Sequence, residues 1–183
     1  MTEYRYALGP RLIHWAVVVL VLYSLASGLT LGALGFEGAR DAFGANVTNF
    51  LYTYHKTSGV LILGLMLLRL AARFAYGKPA YVNPLSPARR IASEAVHGLL
   101  YIMLLIQPVL GWLATASGDF PVQFFAATLP GLIGVNEDLS HTLFFWHGIV
   151  AWIILGLITV HIAAALYHRL VLRDEVMHRM TLP

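Results

Sequence analysis

The sequence contains no cysteine, and this absence excludes several kinds of site. Without thiols the chain cannot form disulfides, hold iron–sulfur clusters through thiolates or attach a haem covalently. Charged residues are also scarce, at 11% of 183 residues, whereas 58% are hydrophobic and the mean hydropathy is +0.71. This composition lies outside the range of soluble domains. We therefore expect an integral membrane protein surrounded by the lipid bilayer, with no nucleic acid among its partners.

Four apolar stretches without Asp, Glu, Lys and Arg are candidate membrane spans: 12–36, 95–118 and 139–168 are long, and the shorter 57–68 becomes long enough when it is extended to about 52–74. A spanning helix needs about 20 apolar residues, so a chain of this length has room for four or five spans and short loops. Proline and glycine residues mark the loops between them. The pattern predicts an all-α membrane protein, a four-transmembrane-helix bundle that forms a single domain over residues 1–183. The expected spans are roughly 11–34, 52–74, 92–116 and 142–168.

Lysine and arginine are distributed unevenly between the connecting segments. Ten of the 12 lie in the N-terminus, in the segment between the second and third spans, and in the C-terminus, which leaves only Arg40 and Lys56 for the opposite side. Because cytoplasmic loops retain the positive excess, both termini are expected to be cytoplasmic. In a bacterium this makes the chain a multi-pass protein of the inner membrane. The periplasmic face is expected to be acidic through Glu37, Asp41, Asp119, Glu137 and Asp138.

Eight histidines are unusual in a short membrane chain, because such side chains are costly inside a bilayer. His147 and His161 lie 14 residues apart on the fourth expected span, a separation of about 21 Å along a helix. At about 3.5 residues per turn, which is the repeat in a left-handed bundle, both imidazoles face the same side. The pattern therefore places one histidine near each surface of the membrane.

Each of these histidines has an expected partner at its own depth. His14 enters the membrane from the cytoplasmic side, as His161 does, and His55 enters from the periplasmic side, as His147 does. Two imidazoles are the axial ligands of a low-spin haem, so the two pairs predict two non-covalent b haems. In the alternative interpretation, these four histidines only anchor helix ends at the membrane surface.

Three further residues are candidates for contact with a haem. Gly59 follows His55 by one turn, where a missing side chain either admits a porphyrin face or serves ordinary helix packing. Arg69 either pairs with a haem propionate or extends to the membrane surface. His97 is either an interfacial histidine or a residue that binds haem, a propionate or a quinone carbonyl.

Several motifs resemble those of the bacterial cytochrome b561 family, the small di-haem proteins grouped with the b subunits of nickel hydrogenases. The resemblance covers nearly the whole chain and is strongest in the last span, where Trp146-His147 precedes His161. The other matching motifs are Ile13-His14-Trp15, the His55-to-Gly59 segment, Arg69 with Arg73, His97 followed by Tyr101, Pro108 and Gly111, Tyr167-His168, and the tail from Asp174 to Met180. The resemblance implies that His14, His55, His147 and His161 ligate haem iron and that membrane quinone, ubiquinone above all, is the acceptor.

The resemblance also implies an activity. Some small four-helix members act as superoxide oxidases, which pass electrons from periplasmic superoxide to ubiquinone. The acidic outer face departs from what an anion-collecting enzyme needs. We therefore expect electron transfer from superoxide or another periplasmic donor to quinone. Two alternatives are an anchor subunit that receives electrons from a separate dehydrogenase or hydrogenase-like protein, and a metal-ion transporter that uses the same histidines.

Overall fold

The computed structural model describes residues 4–82 and 84–182, and nearly all of the regular structure is helical. Apolar segments in a bilayer must satisfy their backbone hydrogen bonds internally, which favours long helices. Three helices in the described chain are long and apolar enough to cross a membrane. The elements are α1 (Leu8–Tyr76), α2 (Pro87–Ser117), the strands β1 (Val122–Phe124) and β2 (Ala127–Leu129), α3 (Glu137–Tyr167), a π-helical turn (His168–Leu172) and a 3-10 turn (Met177–Arg179).

The described chain thus has three helices, whereas the sequence predicts four. The difference lies in α1, whose 69 residues include the segment expected to connect the first two spans. Two glycines interrupt its helical geometry, Gly35 with a φ of 66° and Gly44 with a φ of 79°. Only glycine adopts such angles without steric cost. The connection is therefore made of helix broken at two glycines.

Contacts between its two ends show that α1 is bent back on itself. The hydroxyl oxygens of Ser24 and Ser58 lie 2.6 Å apart, and Nη1 of Arg69 lies 2.6 Å from Nδ1 of His14. The earlier residue of the first arm, His14, contacts the later residue of the second arm, Arg69, whereas Ser24 contacts Ser58. The two arms therefore pack antiparallel. A straight helix of 69 residues would be about 100 Å long and could make neither contact.

The bundle core is a layer of apolar side chains in the middle of the helices. It consists of Val17, Val21, Ile62, Met66, Val150 and Ile154. On the two arms of α1 and on α3, the core residues lie between the levels of the site histidines: Val17 and Val21 follow His14, Ile62 and Met66 follow His55, and Val150 and Ile154 lie between His147 and His161. Many large apolar residues of the helices remain exposed, for example Val19 at 66% and Trp152 at 62%. An apolar exterior around a small core is the arrangement expected in lipid.

Short segments close both ends of the bundle. At one end the β1–β2 hairpin lies on α1, with the backbone N–H of Phe125 donating to Oγ1 of Thr57 at 2.9 Å. At the other end the first and last described segments meet, since the backbone N–H of Tyr6 donates to the carbonyl of Arg179 at 3.2 Å. The indole N–H of Trp15 donates to the carbonyl of Met180 at 2.9 Å. Both ends of the described chain therefore lie on one side of the bundle.

Candidate haem-binding sites

The structure brings together four of the predicted site histidines as two pairs. The ring centres of His14 and His161 are 6.3 Å apart, and those of His55 and His147 are 6.2 Å apart. We call His14 and His161 the inner pair and His55 and His147 the outer pair, after the sides of the membrane expected from the sequence. The core layer of apolar residues separates the two pairs.

The spacing within each pair suits a metal ion between the rings. An imidazole nitrogen binds a transition metal at about 2 Å, and the ring centre lies about 1.1 Å behind that nitrogen, so two axial imidazoles on one iron have centres about 6.2 Å apart. Both observed spacings match this value. Two imidazoles are the ligand set that a low-spin b haem requires. The ring planes lie at 82° in the inner pair and at 77° in the outer pair. The residues present therefore fit this cofactor.

Hydrogen bonds orient both rings of the outer pair. Nδ1 of His147 donates to the carbonyl of Gln107 at 3.1 Å, and the amide nitrogen of Gln107 donates to the carbonyl of His147 at 3.0 Å. Nδ1 of His55 lies 3.1 Å from Oγ of Ser27, whose own hydroxyl donates to the carbonyl of Tyr23. Nδ1 of His55 is therefore the donor. Both histidines keep the Nε2 lone pair for a metal, as ligating histidines commonly do.

Two glycines make room for the rings of the outer pair. A Cβ added to Gly28 would lie 2.6 Å from Cε1 of His55, and a Cβ added to Gly111 would lie 2.8 Å from Cε1 of His147. A real Cβ essentially never comes within 3.0 Å of a non-bonded atom, so each ring occupies space that only a glycine leaves. Helix packing and the placement of the outer pair therefore depend on these two positions.

The inner pair has a cation beside it. Nη1 of Arg69 lies 2.6 Å from Nδ1 of His14, and Nε of Arg69 donates to the hydroxyl of Tyr101 at 3.1 Å. A guanidinium only donates hydrogen bonds, so Nδ1 of His14 accepts here and a neutral ring carries its proton on Nε2. Coordination through Nε2 therefore requires that proton to leave or Arg69 to turn to another acceptor. A haem propionate is an acceptor that suits a guanidinium.

His97 lies next to the inner pair. Its ring centre is 5.0 Å from that of His161, with the planes at 87°, and its Nδ1 donates to the carbonyl of Ser93 at 2.6 Å. This spacing is shorter than the spacing of about 6.2 Å for two axial imidazoles on one iron. By distance His14 is the better partner for His161, and His97 packs edge-on against the same ring.

The remaining candidate residues have different surroundings. No heavy atom lies within 4 Å of a Cβ added to Gly59, so the space beside this glycine is open. Lys56 donates from Nζ to the carbonyl of Pro121 at 2.9 Å, and Arg40 lies 3.9 Å from the carboxylate of Glu37. Both cations of the outer face are thus engaged. Among the described residues, no group of three or more His, Cys, Asp or Glu side chains is arranged to hold a metal ion.

Sequence reasoning missed the residues that orient the rings. Ser27, Gln107 and Gly28 received no role, and Gly111 appeared only within a matching motif. The signal for the first two was weak but present, because a serine and a glutamine inside apolar spans need a hydrogen-bond partner. Nothing in the sequence alone marked Gly28 as the glycine that faces His55.

The chain matches the prokaryotic cytochrome b561 family over residues 5–183. It belongs to that family. It is 32% identical over 173 residues to cytochrome b562 of Cereibacter sphaeroides, which covers 93% of this chain and 91% of that protein. It is 27% identical to cytochrome b561 homolog 2 of Escherichia coli K12, covering 98% of this chain and 92% of that protein.

The name of a third similar protein states an enzymatic activity. The chain is 27% identical to the probable superoxide oxidase CybB of Yersinia pestis over 168 residues, covering 92% of this chain and 90% of that protein. Family membership confirms the resemblance found in the sequence and implies haem b as the cofactor. The general function of the chain is accordingly electron transfer by a helical membrane protein of the cytochrome b561 family.

Proposed function

We propose that this protein carries electrons across the bacterial inner membrane through two b haems, from a periplasmic donor to membrane quinone. The inner pair, His14 and His161, ligates one haem, and the outer pair, His55 and His147, ligates the other. The observation that carries the proposal is the spacing of the two pairs, 6.3 and 6.2 Å between ring centres. Each is the spacing of about 6.2 Å expected for two imidazoles on one iron.

The proposal includes four crossings of the bilayer with both termini in the cytoplasm. The antiparallel arms of α1 support the count, since each arm is long enough to cross. The uneven distribution of Lys and Arg supports the orientation. In this arrangement the termini and the inner pair lie toward the cytoplasm, and the β1–β2 hairpin and the outer pair lie toward the periplasm.

Three residues complete the proposed haem environment. Arg69 pairs with a propionate of the inner haem, because its guanidinium is partly buried and a carboxylate is its natural partner. The open space beside Gly59 admits a porphyrin face. His97 holds the ring of His161 in place through their edge-on contact and can offer a hydrogen bond to a propionate or a quinone carbonyl.

Superoxide is the donor in the first form of this proposal, and the relative named as a probable superoxide oxidase supports it. Two superoxide ions each give one electron and become dioxygen. The quinone takes both electrons together with two protons and becomes quinol. The chain would then be an oxidoreductase that removes a reactive anion from the periplasm and feeds the quinone pool.

A protein donor is the second candidate, and the outer surface favours it. Lys56 bonds the carbonyl of Pro121 and Arg40 lies 3.9 Å from the carboxylate of Glu37, so few cations offset the exposed Glu137 and Asp138 in the first turn of α3. An acidic surface attracts a cationic protein more readily than it attracts superoxide. In this form the chain is a haem b subunit that receives electrons from a separate dehydrogenase or hydrogenase-like protein.

Electron transfer across sealed vesicles tests the proposal. The protein is reconstituted into liposomes that contain ferricyanide, and an impermeant reductant is added outside. We expect ferricyanide to be reduced, and we expect His147→Ala to stop this reduction while His141→Ala preserves it. Superoxide generated outside, with ubiquinone in the bilayer, then tests that donor. Equal rates in protein-free liposomes would contradict the proposal.

A further inference from the structure

The cation of Arg69 lies in direct contact with the inner pair. Its Nη1 is 2.6 Å from Nδ1 of His14, and its Nε bonds the hydroxyl of Tyr101 at 3.1 Å. The guanidinium carbon also lies 5.7 Å from the centre of the Tyr101 ring. His14, on the first arm of α1, and Tyr101, on α2, together hold the guanidinium of Arg69 beside the inner pair.

No protein carboxylate balances this charge among the residues that the structure describes, since none of their ion pairs includes Arg69. The sequence itself contains no Asp or Glu from residue 42 to residue 93 or from residue 95 to residue 118. The field of Arg69 therefore acts on the inner pair in surroundings of low dielectric constant, where a charge interacts strongly.

The outer pair has neutral hydrogen-bond partners instead. His55 bonds the hydroxyl oxygen of Ser27, and His147 bonds the backbone carbonyl of Gln107. Lys56 follows His55 in sequence, but its ammonium group bonds the carbonyl of Pro121 in the segment that leads into β1. The two pairs thus have the same ligands and nearly the same spacing but differ in the charge that touches them.

We propose that Arg69 sets the electrochemical order of the two sites, by raising the reduction potential at the inner pair above that at the outer pair. The inference rests on the proposed function, because it requires a haem at each pair. A reduced haem carries one negative charge more than an oxidised haem, so a neighbouring cation stabilises the reduced form. A propionate bound to Arg69 leaves the sign unchanged, since loss of the arginine then leaves that carboxylate uncompensated.

This order gives electron flow a direction. One electron leaves the site of the outer pair, which is oxidised, and arrives at the site of the inner pair, which is reduced. No bond forms or breaks between the pairs, and no proton moves with this step. Transfer from the periplasmic side to the cytoplasmic side is then downhill. Arg69 accordingly acts on the reduction potential of the inner site through its charge and is not an axial ligand.

Potentiometry of single-site variants tests the order directly. His147→Ala removes the outer site and leaves the inner one, and His161→Ala does the reverse. We expect the haem that remains in His147→Ala to have the higher midpoint potential. A higher potential in His161→Ala would overturn the inference, although the proposed function would stand. If the wild-type protein bound no haem, the proposed function would fail first.

Variants of Arg69 test the cause. In the His147→Ala background, Arg69→Gln should lower the midpoint potential of the remaining haem, and Arg69→Lys should keep it close to that of the parent. Lys56→Gln in the same background is the matched control and should leave the potential unchanged. Equal potentials in the Gln and Lys variants would overturn the assignment to charge. If Arg69→Gln lost its haem, the order measured with Arg69 intact would still decide the proposal.

Discussion

The ring of His55 occupies the space that a side chain at Gly28 would fill. A Cβ at position 28 would lie 2.6 Å from Cε1 of His55. Gly111 has the same relationship to His147, at 2.8 Å. Both histidines of the outer pair therefore approach a neighbouring helical arm at its backbone, which a glycine alone permits. Close packing against these two glycines therefore restrains the rings of the outer pair in addition to their hydrogen bonds.

We predict that Gly28→Ala disturbs the outer haem specifically. The added methyl group forces the ring of His55 to move, at a cost of about 1–3 kcal/mol, which is typical of overpacking. The haem content should fall toward one per chain, or part of the haem should become high-spin in the absorption spectrum. Gly32→Ala is the matched control, because nothing lies within 4 Å of a Cβ at that position. Identical spectra for the two variants would contradict the prediction.

We predict that the four ligand variants fall into two classes. His161→Ala and His14→Ala should lose the same haem, and His147→Ala and His55→Ala should lose the other, because the ring centres pair in this way. Reduced-minus-oxidised spectra of the purified variants distinguish the classes. His141→Ala serves as a control, since its side chain is 78% exposed. A shared spectrum for His14→Ala and His147→Ala would show that the pairing is wrong.

We predict that, if superoxide is the donor, the rate at which it reduces the haem depends on the charge of Lys56. The rate of haem reduction by superoxide should fall with added salt and should fall by about two- to tenfold in Lys56→Gln, because attraction between opposite charges speeds the encounter. Lys56→Arg is the matched variant that keeps the charge. Stopped-flow measurements after pulsed superoxide give the rate. Slow reduction that is the same in all three proteins would exclude superoxide and leave a protein donor.

We predict that Arg179→Ala destabilises the closed inner end of the bundle. Arg179 is 7% exposed, its guanidinium lies 3.9 Å from the ring centre of Tyr81, and it donates to the carbonyl of Pro79. Loss of these contacts should cost about 1–3 kcal/mol and lower the Tm in detergent. Arg89→Ala, at an exposed position of α2, is the control. Equal Tm values for the two variants would contradict the prediction.

Much of the fold could be predicted from the sequence because lipid imposes simple rules. The apolar stretches and the spacing of His147 and His161 indicated long helices with two histidine levels. The count of helices was wrong because helix continues through the first connection, where Gly35 and Gly44 redirect it without a loop. Sequence patterns seldom separate a helix with two glycine breaks from two helices joined by a polar turn.

The details of the site were harder to predict than its ligands. Contact between Arg69 and His14 depends on the register between the two arms of α1, which the sequence does not specify. The same register decides which glycine faces His55. The sequence predicted that Arg69 pairs with a haem propionate or extends to the membrane surface, but its bond to Tyr101 depends on how α2 packs against α1.

The number of haems per chain tests the central proposal most directly. A pyridine haemochrome assay on the purified protein, set against its concentration from amino-acid analysis, gives this ratio. We predict a value close to two, because two histidine pairs have the spacing of axial ligands and no cysteine can attach a haem covalently. A value close to one or zero would contradict the proposal, since at least one of the two pairs would then hold no iron.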